Sequence, residues 1–343
     1  MKKMKKEDLK KVFDLISEKE ELYLPVKNAE KTNFDLYTKD SEPDFDTLKT
    51  VKSAKDIFFP QSETLYTCLE NGGKIKIEPE KLMDRDFVVM GIRACDVAGM
   101  NVLDKVFLSD PVDTFYAARR EHGTVVAFAC SEPEESCFCS VFGITPEEPG
   151  ADATMWIAGD EVFFKANTDK GEKFLEDISS LLTDSDDAKV EEQKKNTREI
   201  MEKLPYTKLS LEGWGIEEKT DELFDSPLWQ TLYSSCLACG TCTFSCPTCQ
   251  CYDIKDYTAN GKIQRYRCWD SCMYSDFTMM AHGNNRTSQM QRFRQRFMHK
   301  LQYFPVNNGG MFSCVGCGRC VDRCPSSLNI VKVIKAFSKE GLK

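Results

Sequence analysis

The stretch CLACGTCTFSCPTC at residues 236–249 contains five cysteines in fourteen positions, and CVGCGRCVDRCP at residues 314–325 repeats its spacing. In each stretch three cysteines stand at every third position, and a fourth follows four positions later, directly before a proline. Cysteines that recur at a regular spacing in a chain without an export signal are typical of metal ligands. These two stretches therefore decide how the C-terminal part of the chain is interpreted.

Both stretches follow the spacing C-x2-C-x2-C-x3-C-P, which is typical of bacterial ferredoxins with [4Fe–4S] clusters. Thiolates two residues apart, on a loop with small residues such as Gly240, Gly316 and Gly318, can wrap around one corner of such a cluster. In two-cluster ferredoxins the fourth cysteine ligates the other cluster. The motifs therefore predict two clusters, with a first set of ligands, Cys236, Cys239, Cys242 and Cys324, and a second set, Cys314, Cys317, Cys320 and Cys246.

A zinc site is the alternative for these motifs, because cysteine is also a common zinc ligand. Structural zinc sites usually combine two separated C-x2-C pairs or mix cysteine with histidine, whereas this chain has 17 cysteines and three histidines. A disulfide framework does not fit either, because cytosolic thiols are kept reduced. A zinc-binding interaction or nucleic-acid module remains a separate hypothesis, and it predicts a colourless protein.

Two further groups of cysteines have no standard spacing. The third set is Cys95, Cys130, Cys137 and Cys139. Two of its members follow predicted strands, where the ligand-binding loops of α/β domains gather, so the spacing leaves open another iron–sulfur cluster, a zinc site or buried free cysteines. The fourth set is Cys249, Cys251, Cys268 and Cys272. It is interpreted as an additional cluster or, in preference, as thiols that line the pocket of the first cluster.

The chain has 343 residues, which favours more than one domain. We predict an α/β domain at residues 1–178 with the third set, a charged helical linker at residues 179–225, and an α-helical ferredoxin-like domain with the two [4Fe–4S] motifs at residues 226–343.

Hydrophobic periodicity predicts the elements of these parts. The expected helices are an opening amphipathic helix at 7–24, a helix at 96–107 and a helix at 287–304 that ends at Pro305. The expected strands are DIFFP (56–60), FVVMGIR (87–93), TVVAFAC (124–130) and EVFFKA (161–166).

The composition limits the partners. A net charge of −9 argues against nucleic acid, whose binding depends on basic surface. No run of about 18 apolar residues predicts a membrane span, and the N-terminal stretch lacks the pattern of a signal peptide, so a cytoplasmic location is expected. Neither a G-x-G-x-x-G fingerprint after a strand nor a P-loop is present, so flavin or nicotinamide chemistry is expected on a partner.

The order of several segments resembles one known family. The segments GIRACD, CSEPEESCFCSVFG, SSCLACGTCTFSCPTCQCYD, RCWDSC, AHGNNR and CVGCGRCVDRCP follow one another as in the iron–sulfur β subunit of cytoplasmic sulfhydrogenases and in the iron–sulfur subunit of anaerobic sulfite reductases. The resemblance extends from about residue 56 to 335. It implies an α/β domain followed by a helical ferredoxin domain.

The resemblance also implies cofactors and partners. The family's R-x-C-D and C-F-C segments match Cys95, Cys137 and Cys139, which favours a third cluster, whereas Cys268 of the fourth set is an addition to the family pattern. The expected partners are a ferredoxin-reductase-like subunit that binds FAD and NAD(P)H, and a terminal catalytic subunit such as a hydrogenase or a sulfite reductase. The function implied is electron relay between them. The alternative is a stand-alone iron–sulfur reductase of a sulfur substrate that uses the Cys249–Cys272 region.

Overall fold

The structure of the chain, a computed structural model, describes residues 1–71 and 73–338. Residue 72 and residues 339–343, the end of the predicted ferredoxin-like domain, lie outside the described residues. The strands are β1 (Lys2–Lys5), β2 (Glu21–Asn28), β3 (Lys31–Leu36), β4 (Ser62–Asn71), β5 (Lys74–Pro79), β6 (Phe87–Ile92), β7 (Gly123–Phe128), β8 (Ala153–Ala158), β9 (Glu161–Ala166), β10 (Thr183–Asp184), β11 (Tyr252–Ala259), β12 (Lys262–Trp269), β13 (Met279–Met280) and β14 (Gly283–Asn284).

The helices are α1 (Leu9–Ser17), α2 (Lys55–Phe58), α3 (Ala94–Phe107), α4 (Thr114–His122), α5 (Asp169–Asp177), α6 (Ala188–Lys203), α7 (Thr220–Asp225), α8 (Leu228–Leu232), α9 (Thr241–Phe244), α10 (Gln289–Met298), α11 (Phe304–Asn307), α12 (Arg319–Asp322) and α13 (Ile330–Phe337). Short 3-10 turns lie at Lys6–Asp8, Cys139–Phe142, Ser179–Leu181, Glu217–Lys219 and Asp276–Thr278, and a π-helical turn spans His299–Tyr303. Among the described residues, no helix is both long and apolar enough to span a bilayer.

Eight of the described strands form a mixed sheet in the order β10-β1-β9-β8-β7-β6-β2-β3. The central strands β2, β6, β7 and β8 are parallel neighbours, and β6 is buried at every position. Because side chains alternate along a strand, Val88 and Met90 of β6 pack on the face that α1 covers, and Phe87 and Val89 pack on the face that α3 covers. Helices on both faces therefore explain the continuous apolar runs of the sequence.

Most predicted elements of this region are found. The strands β6, β7 and β9 and the helix α3 agree with the expectations for 87–93, 124–130, 161–166 and 96–107. The prediction of a strand at DIFFP is wrong, because Phe59 N donates to Lys55 O at 2.7 Å and closes a helical turn. The apolar residues of this stretch are adjacent in sequence, so their spacing could not distinguish a strand from a helix. The opening helix ends at Ser17, because β2 already begins at Glu21 and pairs with β6.

The charged stretch predicted as a linker contains α6, and this helix packs against the large sheet. Val190 is buried with Trp156 and Phe163. Thr197 Oγ1 donates to Cys130 O at 3.1 Å, and Arg198 Nε lies 2.7 Å from Glu147 Oε1. The predicted helical content is therefore present, but α6 is anchored to the first part of the chain, and the domain boundaries stay a prediction.

A second sheet joins distant parts of the chain in the order β11-β12-β4-β5. The hairpin β11–β12 lies between the two cysteine motifs, and its strand β12 pairs antiparallel with β4. The expectation of an entirely helical C-terminal region is wrong for this hairpin. Its cross-strand partner lies about two hundred residues earlier in the sequence, so no local pattern could reveal the pairing.

The predicted helix at 287–304 is present as α10, which buries Phe293 and Phe297. It continues through the π-helical turn into α11 and so passes Pro305, which lies in the first turn of α11. Proline has no backbone N–H to bond to a preceding carbonyl, and the irregular π-helical turn lies directly before α11.

Buried charges hold the second sheet against the large one. Arg267 on β12 bonds through Nε to Glu63 Oε2 of β4 at 2.6 Å, and its guanidinium also pairs with Asp113, which caps α4. Arg119 on α4 forms an ion pair with the other oxygen of Glu63. The side chains of Arg267 and Glu63 are 4% and 5% exposed, so each charge depends on its partners.

This network predicts a large effect of a single substitution. Glu63→Ala leaves two guanidinium groups with too little negative charge beside them, and we expect the free energy of unfolding to fall by about 3 to 5 kcal/mol. Denaturant unfolding measures it. The control is Asp256→Ala, which removes the exposed pair with Arg265 (2.7 Å) on the same sheet and should leave the midpoint unchanged. Equal midpoints for the two variants would contradict the role of the buried network.

Candidate iron–sulfur sites

The first set of cysteines lines one cavity. Cys236 and Cys239 come from the loop between α8 and α9, Cys242 lies on α9, and Cys324 lies after α12. The cavity is lined by Cys236, Cys239, Cys242 and Cys324 together with Met273, Phe293, Arg296, Phe297 and Leu328. The thiol of Cys324 thus lies with the first motif although it belongs to the second motif in sequence.

The two motif loops share an unusual backbone. Ala238 and Gly240 have φ angles of 53° and 75°, and the equivalent Gly316 and Gly318 have φ angles of 58° and 78°. Alternating left-handed residues make a concave backbone whose N–H groups can bind an anion. Glycine adopts this conformation without steric cost, and Ala238 adopts it at a cost. The same local geometry therefore occurs twice, as the repeated spacing predicts.

The second set meets where the two motifs contact each other. Thr248 Oγ1 and Lys300 Nζ both donate to Ser313 O, at 2.8 and 3.0 Å, and so join the residues after Cys246 to those before Cys314. Burial raises the pKa of Cys317 to about 11. Burial likewise raises the pKa of Cys314 and of Cys320, and the neighbouring Cys246 thiol raises all three further. The four thiols therefore share one buried region.

Buried cations face both sets without carboxylate partners. Arg296 and Lys300 are 2% and 3% exposed, and among the described residues no carboxylate lies within ion-pair distance of either. Burial by itself lowers the pKa of Lys300, but the thiolates of Cys246 and Cys249 raise it above its usual range. An unpaired buried cation is costly, so these positions require negative charge beside them.

Two buried polar atoms at these sites lack protein partners. Arg296 Nε and Ser313 Oγ form no hydrogen bond with the described residues. Both can donate to a sulfur acceptor, and hydrogen bonds to cluster sulfur are a usual feature of iron–sulfur sites. The thiols, the concave loops, the unpaired cations and these free donors therefore fit an anionic group that carries sulfur. Among the described residues, no group of three or more His, Cys, Asp or Glu surrounds a point as the ligands of a single metal ion would.

The third set also converges, although its members are up to 44 residues apart in sequence. Cys95 begins α3 after β6, and Cys130 follows β7, so both lie at the carboxyl ends of parallel strands. Burial raises the pKa of Cys95, and the thiol of Cys139 raises it further. Burial raises the pKa of Cys139 too, and the thiols of Cys130 and Cys137 add to this.

Cations lie beside this set as well. Arg93 is 8% exposed, donates to Phe45 O at 3.0 Å and lies over the Phe128 ring at 4.0 Å. Burial raises the pKa of Cys130 to about 11, whereas the nearby Arg93 lowers it. The third set therefore has the same combination of buried thiols and a buried cation as the other two.

The third set lies directly against the second. Phe138 N donates to Gly316 O at 2.9 Å. Burial is the main cause that raises the pKa of Cys95 and of Cys137, and the nearby thiol of Cys317 raises both pKa values further. Arg319 Nη1 and Nη2 bond to the two carboxylate oxygens of Asp96 at 2.5 and 2.7 Å. The three sets therefore form a continuous series in which the second set is central.

The fourth set is only partly brought together. A hydrogen bond from Cys249 holds the pKa of Cys246 well below its usual range, and a hydrogen bond from Cys272 lowers the pKa of Cys251 to about 7. The same contact with Cys251 raises the pKa of Cys272, and the Cys249 thiol raises it further. The charged neighbours of Cys268 are instead Lys255, Asp253 and Asp270. Three thiols thus lie together, with Cys249 in contact with Cys246 of the second set, and Cys268 stays apart from them.

Several residues of these sites were not apparent from the sequence. Lys55 of α2 donates to Cys249 O at 2.8 Å, and Asp96 pairs with Arg319 from more than two hundred residues away. The basic side chains of the stretch at 286–300 lie in different surroundings. Arg296 and Lys300 face the thiols, whereas Arg294 lies over the Phe224 ring. Arg296 and Lys300 are four residues apart, and on a helix this spacing predicts that both lie on one face.

The contact between the second and third sets can be tested at Gly316. A Cβ atom there would come within 2.4 Å of Phe138 O, so Gly316→Ala must displace the loop of the third set. Gly310 also has a positive φ, of 86°, but a Cβ atom there meets nothing within 4 Å, so Gly310→Ala costs only the strain of about 1 to 2 kcal/mol. We expect Gly316→Ala to lower the unfolding midpoint and the iron content more than Gly310→Ala. Equal losses would contradict the close approach.

Comparisons with known proteins identify the dicluster region and the family of the chain. A family model described as a 4Fe-4S dicluster domain matches residues 235–328, a range that includes all the cysteines of the two motifs. The chain is 31% identical over 347 aligned positions to sulfhydrogenase 2 subunit beta of Pyrococcus furiosus, and the alignment covers 99% of this chain and 98% of that protein. This confirms the resemblance noted in the sequence. The chain belongs to the family of the sulfhydrogenase beta subunits.

Proposed function

We propose that the protein is an iron–sulfur electron-transfer subunit in which three [4Fe–4S] clusters form one relay. The observation that carries this proposal is the continuity of the thiol sets: Cys317 of the second set neighbours the third set, and Cys320 of the second set neighbours Cys242 of the first. The first set would ligate one cluster, the second set another, and the third set a third. Bound clusters supply one-electron redox chemistry.

The chain's own residues ligate, tune and enclose these groups. The motif loops supply the thiolates, and donors such as Leu328 N, 3.1 Å from Cys324 Sγ, bond to ligating sulfur. The aromatic residues Phe293 and Phe297 exclude water from the first set. Hydrogen bonds to sulfur, nearby charge and solvent exposure together set the potential of a cluster.

The first set marks the place where a partner can come closest. Of the 17 cysteines, all of which lie within the described residues, Cys239 is the exposed one, and the nearby Leu237 is 69% exposed. Electron-transfer encounters use small interfaces, so one exposed apolar side chain beside a redox centre contributes substantially.

The partners follow from the family. The name sulfhydrogenase describes the relative as one subunit of a hydrogenase, and we propose that this chain likewise serves a terminal catalytic subunit, a hydrogenase or another reductase. We propose that a second partner, a flavin subunit with FAD and NAD(P)H, exchanges electrons with the other end of the relay. The chain itself would then lack turnover of a sulfur substrate.

The number of clusters is tested by iron and acid-labile sulfide analysis of the anaerobically purified full chain, with EPR of the reduced form. We expect about twelve iron atoms per chain, and fewer for Cys139→Ala and for Cys324→Ala, since each variant loses one ligand of a four-iron cluster. Cys268→Ala is the matched control and should keep all iron. An unchanged iron content in Cys139→Ala would restrict the relay to two clusters, one at the first set and one at the second set. We call these two places the dicluster sites.

The rival function has its own test. The thiols Cys249, Cys251 and Cys272 lie beside the second set with Lys55 and Lys300 nearby, which is the region that a stand-alone sulfur reductase would use. We expect the dithionite-reduced chain, mixed with polysulfide or sulfite in the absence of partners, to stay reduced. Substrate-dependent reoxidation that Cys251→Ala abolishes would instead establish the rival.

A further inference from the structure

Arg296 lies buried between the first and second sets. Its guanidinium lines the cavity of the first set, and Nη2 donates to Cys242 O at 3.1 Å. Burial by itself lowers the pKa of Arg296, but the thiolates of Cys242 and Cys320 raise it well above its usual range. One cation therefore neighbours a thiol of each set.

The charge of Arg296 is not neutralised by the protein. Among the described residues no carboxylate pairs with it, and its Nε has no hydrogen-bond partner. Arg319, the buried arginine of the second motif, differs because Asp96 accepts two hydrogen bonds from it. The field of Arg296 is thus directed at the two sulfur sites, whereas the field of Arg319 is largely cancelled.

Lys300 lies one turn later and provides a comparison. Its Nζ donates to Thr248 Oγ1 at 2.6 Å and to Ser313 O at 3.0 Å, and its thiol neighbours are Cys246, Cys249 and Cys314. None of these thiols belongs to the first set. Arg296 therefore lies beside both dicluster sites, whereas Lys300, on the same helix face, lies beside the second set and not the first.

We propose that the charge of Arg296 sets the reduction potentials of both dicluster sites together. The proposal rests on the proposed function, because it requires clusters at the first and second sets. A cluster gains negative charge on reduction, so a nearby cation in a medium of low dielectric constant stabilises the reduced form and raises the potential. The planar fork of arginine carries five donors on a wide, delocalised group and can reach both sides at once, whereas the ammonium of lysine is a compact point charge. Because the charge is shared, it raises both potentials together and adds no energy step between the two sites.

The test is an EPR-monitored redox titration of the full chain with its clusters. We expect Arg296→Gln to lower the midpoint potentials of both dicluster sites by similar amounts. Lys300→Met should lower only the potential assigned to the second set. The matched control is Arg294→Gln on the same helix: Arg294 Nη1 donates to Phe224 O at 2.9 Å and has no thiol neighbour among the described residues, so both potentials should stay unchanged.

The outcomes separate this inference from the proposed function. If the wild-type chain lacks two dicluster-site clusters by iron content and EPR, the proposed function fails. If the clusters are present and Arg296→Gln leaves either potential unchanged, the joint setting by Arg296 is wrong while the relay stands. If Arg296→Gln does not retain its clusters, Arg296→Lys decides: the compact ammonium concentrates the charge at one point, nearer to one site than to the other, so the separation between the two potentials must widen. A separation equal to that of the wild type would overturn the inference.

Discussion

The ion pair between Arg319 and Asp96 is the contact on which the arrangement of the cysteine sets depends. Both side chains are almost completely buried, at 1% and 2% exposed, and each stands next to a cysteine of a different set, Cys320 and Cys95. A buried charge pair tolerates little displacement, because either partner alone would be left uncompensated in a medium of low dielectric constant. The pair therefore fixes the distance between the second motif loop and the start of α3, and with it the distance between two candidate redox sites.

The second sheet also holds the cysteine motifs against the α/β part of the chain. The hairpin β11–β12 interrupts the chain between the two motifs and is attached to β4 by strand pairing and by the buried network around Arg267. Gly99 on α3 lies against Pro247 so closely that an added Cβ atom would come within 2.8 Å. The end of the first motif thus lies against α3, and the residues between the motifs pair with β4 of the second sheet. The insertion is structural: it attaches the dicluster region to the α/β part.

The distribution of charge follows from the sulfur sites. The chain is acidic overall, with a net charge of −9, yet Arg93, Arg296, Lys300 and Lys55 are buried beside thiols. Burial of a cation is costly unless an anion lies next to it, so these residues are understandable only together with an anionic group at the cysteines. Positive charge beside a bound cluster would also raise its potential, so one interaction would both stabilise the fold and adjust redox chemistry.

The sequence by itself determined the chemistry of the two motifs, the strands β6, β7 and β9, the helices α3 and α10, and the family. Each of these depends on residues close together in the chain, where the spacing of thiols or of apolar side chains carries the geometry directly. Only the tertiary structure decided that Cys95 lies near Cys139 and that β12 pairs with β4. It also decided that α6 is anchored to the large sheet. On α10, it placed Arg296 beside the first and second sets and Arg294 over the Phe224 ring. These contacts join residues that are far apart in the chain or distinguish two arginines of one helix. They are set by the complementary burial of charge and apolar surface, which no local pattern records.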